Sequence, residues 1–302
     1  MFVRLAAAYL CLSSAAMAAG PRVVADVGPV HSLVSRVMQG VGTPKLLLPP
    51  GVSPHGHAMR PSEAAALEGA EVVFWVGEAL SPSMEDAIAT LATGADVVEL
   101  LDVPGTVTRM GDEEDADEAG DHDDHDHDHH GGVDPHAWLD PDNARLWIAA
   151  IADTLARRDP DNAIIYAANA EDAQAEIAAL DAAISERLAP VRGRGFVVFH
   201  DAYGYFEDHF DLPSLGAIAL SDATPPSAAR MAELRSRVVA SGAVCAFSEP
   251  QFNAGLVTTL TEGTDLRTGI LDPVGAVLEP GPALYGTLMG NLAGALAECL
   301  GD

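Results

Sequence analysis

Basic residues are scarce in this sequence. Lysine and arginine together number 16 among 302 residues, against 45 aspartates and glutamates, and the formal net charge at pH 7 is -29. The excess is uneven, because 11 acidic residues and no lysine or arginine lie between Asp112 and Asp128. Such a charge repels nucleic acids and anionic lipid surfaces and attracts cations instead. We therefore expect no nucleic-acid partner.

Cysteine is also scarce, with three residues in the chain. Cys11 follows Leu10, which is not the small residue that a lipoprotein site needs before its cysteine. Cys245 and Cys299 lack the close cysteine or histidine partners of a compact zinc motif. An even pair in an oxidising compartment favours a disulfide over two free thiols. We expect such a bridge to tie the last helix to a strand.

Long apolar runs are missing as well. The apolar stretch from Leu5 to Ala16 follows Arg4 and is too short to span a bilayer, and Ala16-Met17-Ala18 has the small-x-small pattern of a cleavage site. These features predict a cleaved signal peptide over residues 1–18 rather than a buried first helix. No later run is long enough to cross a membrane. The mature protein is predicted to be soluble and periplasmic.

Short apolar runs alternate with helical patterns along most of the chain. The run from Glu71 to Val76 is almost continuously apolar, as in a strand buried on both faces. This alternation predicts an α/β fold with parallel sheets covered by helices. The second half repeats the order of elements without a residue-level repeat. We expect two Rossmann-like lobes.

One long helix is predicted between the lobes. Its pattern runs from Asp161 to Leu188, with an apolar stripe at steps of three and four residues: Tyr166, Ala170, Ala173, Ile177, Leu180, Ile184 and Leu188. We divide the mature chain into an N-terminal lobe (residues 19–159), a linking helix (160–190) and a C-terminal lobe (191–302). Residues 112–132, rich in Asp, Glu, His and Gly, predict a disordered loop within the first lobe.

Three histidines follow apolar runs or restart an element. His55 comes after a strand and a Pro-Pro-Gly turn, His136 restarts the pattern after the acidic loop, and His200 ends a predicted strand. Ligands of open α/β sheets bind beyond the carboxyl ends of strands, so two facing lobes would bring these imidazoles together in the cleft. Asp272 occupies an equivalent position after a short strand. Three imidazoles and one oxygen satisfy tetrahedral zinc, although spacing alone also allows each histidine to be a turn or cap residue.

Six motifs carry a family resemblance. They are Leu47-Leu-Pro-Pro-Gly-Val-Ser-Pro-His55, Arg60-Pro-Ser, Asp134-Pro-His136-Ala-Trp-Leu-Asp-Pro, Phe199-His-Asp-Ala-Tyr-Gly-Tyr-Phe206, Ser248-Glu-Pro-Gln-Phe and Leu271-Asp-Pro-Val-Gly. With these motifs, in this order, the chain resembles the ZnuA-type zinc-binding proteins (cluster A-I) of bacterial ABC transporters from about Val23 to Cys299. A charged, His-rich insert at the position of the loop is also typical of that family.

The resemblance implies a ligand set and a function. It implies two lobes joined by a rigid helix, Zn²⁺ bound in the cleft by His55, His136 and His200, and a disulfide between Cys245 and Cys299. It also implies capture of zinc for the membrane permease of an ABC importer. Manganese-binding relatives have a carboxylate at the position of His200, and manganese prefers oxygen ligands, so His200 is the residue that indicates zinc.

The fourth ligand stays open between Asp272 and water. Many zinc-binding members have an acidic residue immediately before the first histidine, whereas this chain has Pro54. That removes one candidate oxygen and favours Asp272.

Other polar residues are weaker candidates. His57 lies close enough to His55 to replace it, but a histidine at the pocket rim is the simpler interpretation. His31 could line the cleft or lie in the core, and His209 is expected to be exposed. Asp201, Tyr205 and Glu249 are candidates for orienting the imidazoles. An auxiliary, low-affinity zinc-gathering role is predicted for the loop histidines, which are His122, His125, His127, His129 and His130.

Two alternative functions compete with zinc capture. A three-histidine zinc site is also the design of a hydrolase, with Glu249 or Asp272 as the base, but the sequence has no HExxH motif. A carrier of manganese, iron or nickel is the other alternative. We expect no enzyme activity, a monomer, and a periplasmic zinc chaperone as a further partner.

Overall fold

The computed structural model describes residues 20–55, 57–111, 132–219, 226–252 and 254–301. The predicted signal peptide and residues 112–131 of the predicted acidic loop, including its histidines, lie outside these ranges. Within the described ranges, none of the helices combines the length and the apolarity that a bilayer span requires.

The first lobe is built on a four-stranded parallel sheet. Its strands and helices are β1 (Val23–Ala25), α1 (Gly28–Val37), β2 (Lys45–Leu46), α2 (Pro61–Glu68), β3 (Val72–Trp75), α3 (Pro82–Leu91) and β4 (Asp96–Glu99). The strand order is β2-β1-β3-β4. Every residue of β1 and β3 is buried, which explains why these strands read as apolar runs without alternation.

Two helices follow the acidic loop. They are α4 (Pro141–Arg158) and α5 (Ala163–Leu188), the latter 26 residues long and roughly 39 Å at the rise of an α-helix. Six of the seven residues of the predicted stripe on α5 are buried, and Leu180 is partly buried. The stripe packs against α1, α4 and the last helix of the chain, so α5 contacts both lobes.

The second lobe repeats the first. It contains β5 (Phe196–His200), α6 (Gly204–Phe210), β6 (Ala217–Ala219), α7 (Ala228–Ser241), β7 (Cys245–Ser248), α8 (Gly255–Thr261), β8 (Arg267–Ile270) and α9 (Leu284–Leu300). The strand order is β6-β5-β7-β8, again with parallel pairs. In both sheets the second strand lies on one side of the first strand, and the third and fourth strands lie on its other side. The predicted α/β fold of two lobes with parallel sheets is therefore confirmed.

A disulfide joins the last helix to the second sheet. Cys245 on β7 is bonded to Cys299 on α9, with 6.2 Å between their Cα atoms. This confirms the predicted bridge between a strand and the last helix. Helix α9 also packs on α1 and α5. The disulfide therefore joins the second sheet to a helix that contacts the first lobe.

Some elements differ from the sequence-based expectations. The strand expected before the Pro-Pro-Gly turn spans only Lys45–Leu46, although the amides of Leu47 and Leu48 donate to the carbonyls of Ala25 and Asp26. Helix α3 was not predicted, because its apolar positions are few: Met84 and Ile88 are its buried residues.

His209 on α6 joins three elements. Its Nδ1 lies 3.1 Å from Asp140 Oδ1, at the start of α4, and its Nε2 lies 3.0 Å from Asp181 Oδ1 on α5. The contact with Asp140 raises the pKa of His209, burial lowers it, and the contact with Asp181 raises it further. The resulting pKa is about 9. The expectation of an exposed His209 is wrong, because its side chain is 17% exposed.

We expect His209→Gln to lower the free energy of unfolding by about 2 kcal/mol at acidic to neutral pH. The folded-state pKa lies above the unfolded value of 6.5, so this stabilisation is complete below pH 6.5 and disappears as the pH rises through 9. Urea unfolding of both proteins across this range, with a metal chelator present, measures the difference. Parallel pH profiles for the two proteins would contradict this role.

Candidate metal centre

Three imidazoles from distant parts of the chain meet between the lobes. One ring nitrogen each from His55, His136 and His200 lies within 4.8 Å of the other two. Their ring centroids are 5.3 Å (His55 to His136), 5.3 Å (His136 to His200) and 6.3 Å (His55 to His200) apart. His136 and His200 are buried, whereas His55 is partly exposed.

The spacing of these nitrogens suits one tetrahedral metal ion. His55 Nε2 and His136 Nε2 lie 3.3 Å apart. Two nitrogens bound to tetrahedral zinc at 2.0–2.1 Å are separated by roughly 3.3–3.4 Å. The two rings therefore already have the separation that a shared ion requires.

A carboxylate two residues earlier in the chain orients His136. Asp134 Oδ1 accepts from both the backbone N–H of His136, at 3.0 Å, and its Nδ1, at 2.8 Å. Burial alone would raise the pKa of Asp134, but the bonds from His136 and from Arg109 outweigh burial and lower it. Because a carboxylate only accepts, Nδ1 carries the proton and Nε2 presents its lone pair to the other rings.

A second carboxylate orients His200. His200 ends β5, and Glu249 follows β7, the neighbouring strand, so both lie where an open α/β sheet binds its ligands. His200 Nδ1 lies 2.7 Å from Glu249 Oε1, and the Glu249 side chain is 1% exposed. This contact makes Nε2 of His200 the atom that can bind a metal. Glu249, one of the three residues considered for orienting an imidazole, thus makes a direct contact with His200.

The segment that carries His55 is held by side-chain hydroxyls. Ser81 Oγ donates to the carbonyl of Pro54 at 2.9 Å, and Ser53 Oγ accepts from the His55 amide at 3.3 Å. Pro54 supplies no side-chain oxygen to the site, as the sequence requires. This segment follows β2 by several residues, so His55 approaches from a loop rather than from a strand end.

Asp272 lies outside the group of three nitrogens. Its Oδ1 accepts from the amides of Val274 (3.3 Å), Gly275 (2.9 Å) and Ala276 (3.0 Å), and its Oδ2 accepts one longer bond of 3.4 Å from Val277. The carboxylate thus caps the turn that follows it. Oδ2 is the oxygen with the greater capacity for a further partner.

Two other candidate histidines lie elsewhere. His57 Nε2 lies 2.7 Å from Glu63 Oε2 on α2, and the buried His31 contacts the carbonyl of Pro44 through Nε2. Among the described residues, Asp140, Asp142 and His209 form a second group with metal-compatible spacing. There, however, the nitrogens of His209 contact carboxylates of Asp140 and Asp181.

Sequence reasoning missed the role of Asp134. The signal was present, because an Asp-Pro-His sequence places the carboxylate two residues before the imidazole, where an Asx turn brings it back to the amide. Tyr205, a candidate for orienting an imidazole, instead donates from its hydroxyl to the carbonyl of Asp134 at 2.8 Å.

The family model for the periplasmic component A of zinc-uptake complexes matches residues 23–299. The chain is 43% identical to the high-affinity zinc uptake system protein ZnuA of Paracoccus denitrificans (strain Pd 1222), over 98% of this chain and 97% of that protein. Identity to the protein of the same name from Brucella abortus (strain 2308) is 41%, with the same coverage.

Solved structures support the fold. The periplasmic zinc-binding protein TroA of Treponema pallidum superposes with a TM-score of 0.79 at 21% identity, covering 94% of this chain and all of that one. At this identity the likeness speaks for the two-lobed fold alone.

Removing either orienting carboxylate is expected to weaken binding of a divalent transition metal by about 10–100-fold. The changes are Asp134→Asn and Glu249→Gln, which keep side-chain size but present an amide in place of a carboxylate to Nδ1. Co²⁺ titration of each variant measures the effect. Glu63→Gln is the matched control, because Glu63 contacts His57 rather than the group of three. Equal affinities in all variants would contradict the orienting role.

Proposed function

Because the chain belongs to the family of periplasmic zinc-uptake component A proteins, we propose that it captures Zn²⁺ in the periplasm and delivers it to the permease of an ABC importer. The observation that supports this most directly is the group of three imidazole nitrogens between the lobes. In this proposal His55, His136 and His200 are the ligands, and zinc is the cargo.

The donor set favours zinc over manganese. Neutral imidazoles suit zinc, whereas manganese prefers carboxylate, carbonyl and water oxygens. Affinity for nitrogen ligands also rises along the divalent series above manganese and iron, so nickel and copper are the stronger competitors. His200 supplies the third nitrogen and is therefore the residue on which this preference rests.

We infer that Asp272 supplies the fourth ligand through Oδ2. Its Oδ1 is engaged by three amides, which would hold the carboxylate in one orientation while Oδ2 turns to the metal. Trp138 Nε1 donates to the carbonyl of Pro273 at 2.8 Å, which links the segment after His136 to the residue after Asp272. Water is the alternative fourth ligand.

A hydrolase is disfavoured. Proteins of this family are solute-binding proteins, and a zinc enzyme would need a general base beside the metal-bound water. The two acidic residues considered for that task have other partners, because Glu249 contacts His200 and Asp272 caps its own turn.

The remaining parts of the chain complete the proposal. Residues 1–18 direct export and are removed, residues 19–159 and 191–302 form the lobes, and residues 160–190 join them. The loop histidines, with His57 as a further auxiliary candidate, gather zinc at low affinity. The working form is a monomer that receives zinc from solution or from a periplasmic chaperone.

Replacing His200 by a carboxylate residue is expected to reverse the preference for zinc over manganese. We expect His200→Asp to lower zinc affinity by about tenfold or more and to raise the relative affinity for manganese, because an oxygen replaces a nitrogen. Competition titrations of the signal-free protein, with and without residues 112–131, measure both affinities. His57→Ala is the control and should leave both affinities of the three-imidazole site unchanged, because His57 contacts Glu63 rather than these rings. Displacement of stoichiometric zinc from the unaltered protein by comparable manganese would refute the zinc assignment.

In cells, deletion of the gene is expected to abolish high-affinity zinc uptake, and growth should recover when zinc is supplied in excess. The full chain should restore uptake, and a His136→Ala chain should not, because it lacks a ligand. Uptake of radioactive zinc at limiting concentration is the measurement. Normal uptake by the deletion strain would contradict the proposed role.

A further inference from the structure

Arg109 lies directly opposite the carboxylate that orients His136. The backbone amide of Asp134 donates to the carbonyl of Arg109 at 2.9 Å, and Met110 pairs with Val133 in an antiparallel bridge. This pairing places the Arg109 side chain on the same side as Asp134. Arg109 Nη1 donates to Asp134 Oδ2 at 3.1 Å, and the Asp134 side chain is 1% exposed.

The two oxygens of Asp134 therefore have different partners. Oδ1 accepts from His136, and Oδ2 accepts from Arg109. A buried carboxylate with a single partner can rotate about its terminal bond, whereas one held at both oxygens cannot do so without losing a bond. The positive charge of Arg109 also lowers the free-energy cost of burying the Asp134 carboxylate beside the neutral imidazole of His136.

The same guanidinium reaches the second lobe. Arg109 Nε lies 3.3 Å from Asp208 Oδ2 on α6. The hydroxyl of Tyr205, also on α6, accepts from the Arg109 amide at 3.0 Å and donates to the carbonyl of Asp134 at 2.8 Å. Helix α6 begins four residues after His200. Arg109 thus contacts both the group that orients His136 and the helix that follows His200.

Gly204, the first residue of α6, provides the space for this contact. A Cβ at Gly204 would lie 1.5 Å from Arg109 Nη1 and 2.0 Å from its Cζ. The guanidinium is therefore packed directly over the Cα of Gly204. No larger residue fits at this position unless the Arg109 side chain moves.

We propose that Arg109 is a positioning residue for the metal site, holding Asp134, and through it His136, at a fixed distance from the segment that carries His200. The inference rests on the proposed zinc function. Arg109 acts through Asp134 and does not itself bind the metal. Its effect is to prepare two ligands from different lobes before the ion arrives, which reduces the ordering cost of binding.

The test uses the full mature chain and a cycle of three variants: Arg109→Ala, Gly204→Ala and the double variant. We expect Arg109→Ala and Gly204→Ala each to weaken zinc binding by about tenfold, within the range of changes around metal-bound histidines. The double variant should bind no more weakly than Arg109→Ala, because the atoms displaced by the new methyl group are already absent. Affinity is measured by competition with a zinc chelator, so that the tightest site is the one observed.

Two further readouts separate positioning from a general loss of structure. The visible spectrum of the Co²⁺-loaded protein reports ligand geometry and should change in Arg109→Ala and Gly204→Ala. The metal-free thermal midpoint of Gly204→Ala should remain close to that of the unaltered protein, because a flexible side chain can move aside. Arg145→Gln and Gly290→Ala are the matched controls: Arg145 pairs with Asp142, and a Cβ at Gly290 meets open space.

The inference would be overturned if the zinc affinity of Arg109→Ala lay within twofold of that of the unaltered protein. It would also be overturned if Gly204→Ala weakened zinc binding equally in the unaltered protein and in Arg109→Ala. If Arg109→Ala does not fold, the zinc affinity of Gly204→Ala is compared with that of Gly290→Ala, and equal affinities overturn the inference. An unaltered protein that lacks a tight zinc site would instead refute the proposed function. Tight zinc binding by both the unaltered protein and Arg109→Ala would refute only the role of Arg109.

Discussion

The contact between each buried imidazole and its carboxylate is the constraint on which the site depends. His136 and His200 each bind a carboxylate through Nδ1, at 2.8 Å and 2.7 Å. These contacts fix the rotation of both rings and make Nε2 the candidate metal-binding atom of each. Without them the same residues could lie between the lobes and still present the wrong nitrogen. The fold is organised to bring these two pairs together from separate lobes.

The two sheets have the same strand order but use their equivalent positions differently. In the second lobe, the residues at the ends of the two central strands are His200 and Glu249, which face the site. In the first lobe, Asp26 follows β1 and accepts from the amides of Val27 and Val76. Burial raises the pKa of Asp26 to about 7, against the lowering effect of those amides. The equivalent position thus carries a candidate metal ligand in the second lobe and a structural carboxylate in the first.

The sequence predicts those features that depend on local pattern. The apolar runs and the stripe on α5 are readable because burial restricts residue types. The disulfide follows from the even cysteine count together with the family resemblance, and the three histidines are singled out by the motifs that carry that resemblance rather than by their spacing. The contact partners of the individual side chains cannot be predicted from the sequence, because they depend on distances in the folded protein. His57 and His55 are two residues apart, yet one contacts Glu63 and the other approaches His136. Arg109 looks like any surface arginine in the sequence.

The central claim is that one zinc ion binds where the three imidazoles meet. Anomalous diffraction at the zinc edge, from crystals grown with one equivalent of zinc, tests it most directly. The account predicts a single dominant peak about 2.0–2.1 Å from a ring nitrogen of each of His55, His136 and His200, with one oxygen completing a tetrahedron. A dominant peak at His57, at the loop histidines, or at only one of the three imidazoles would contradict it.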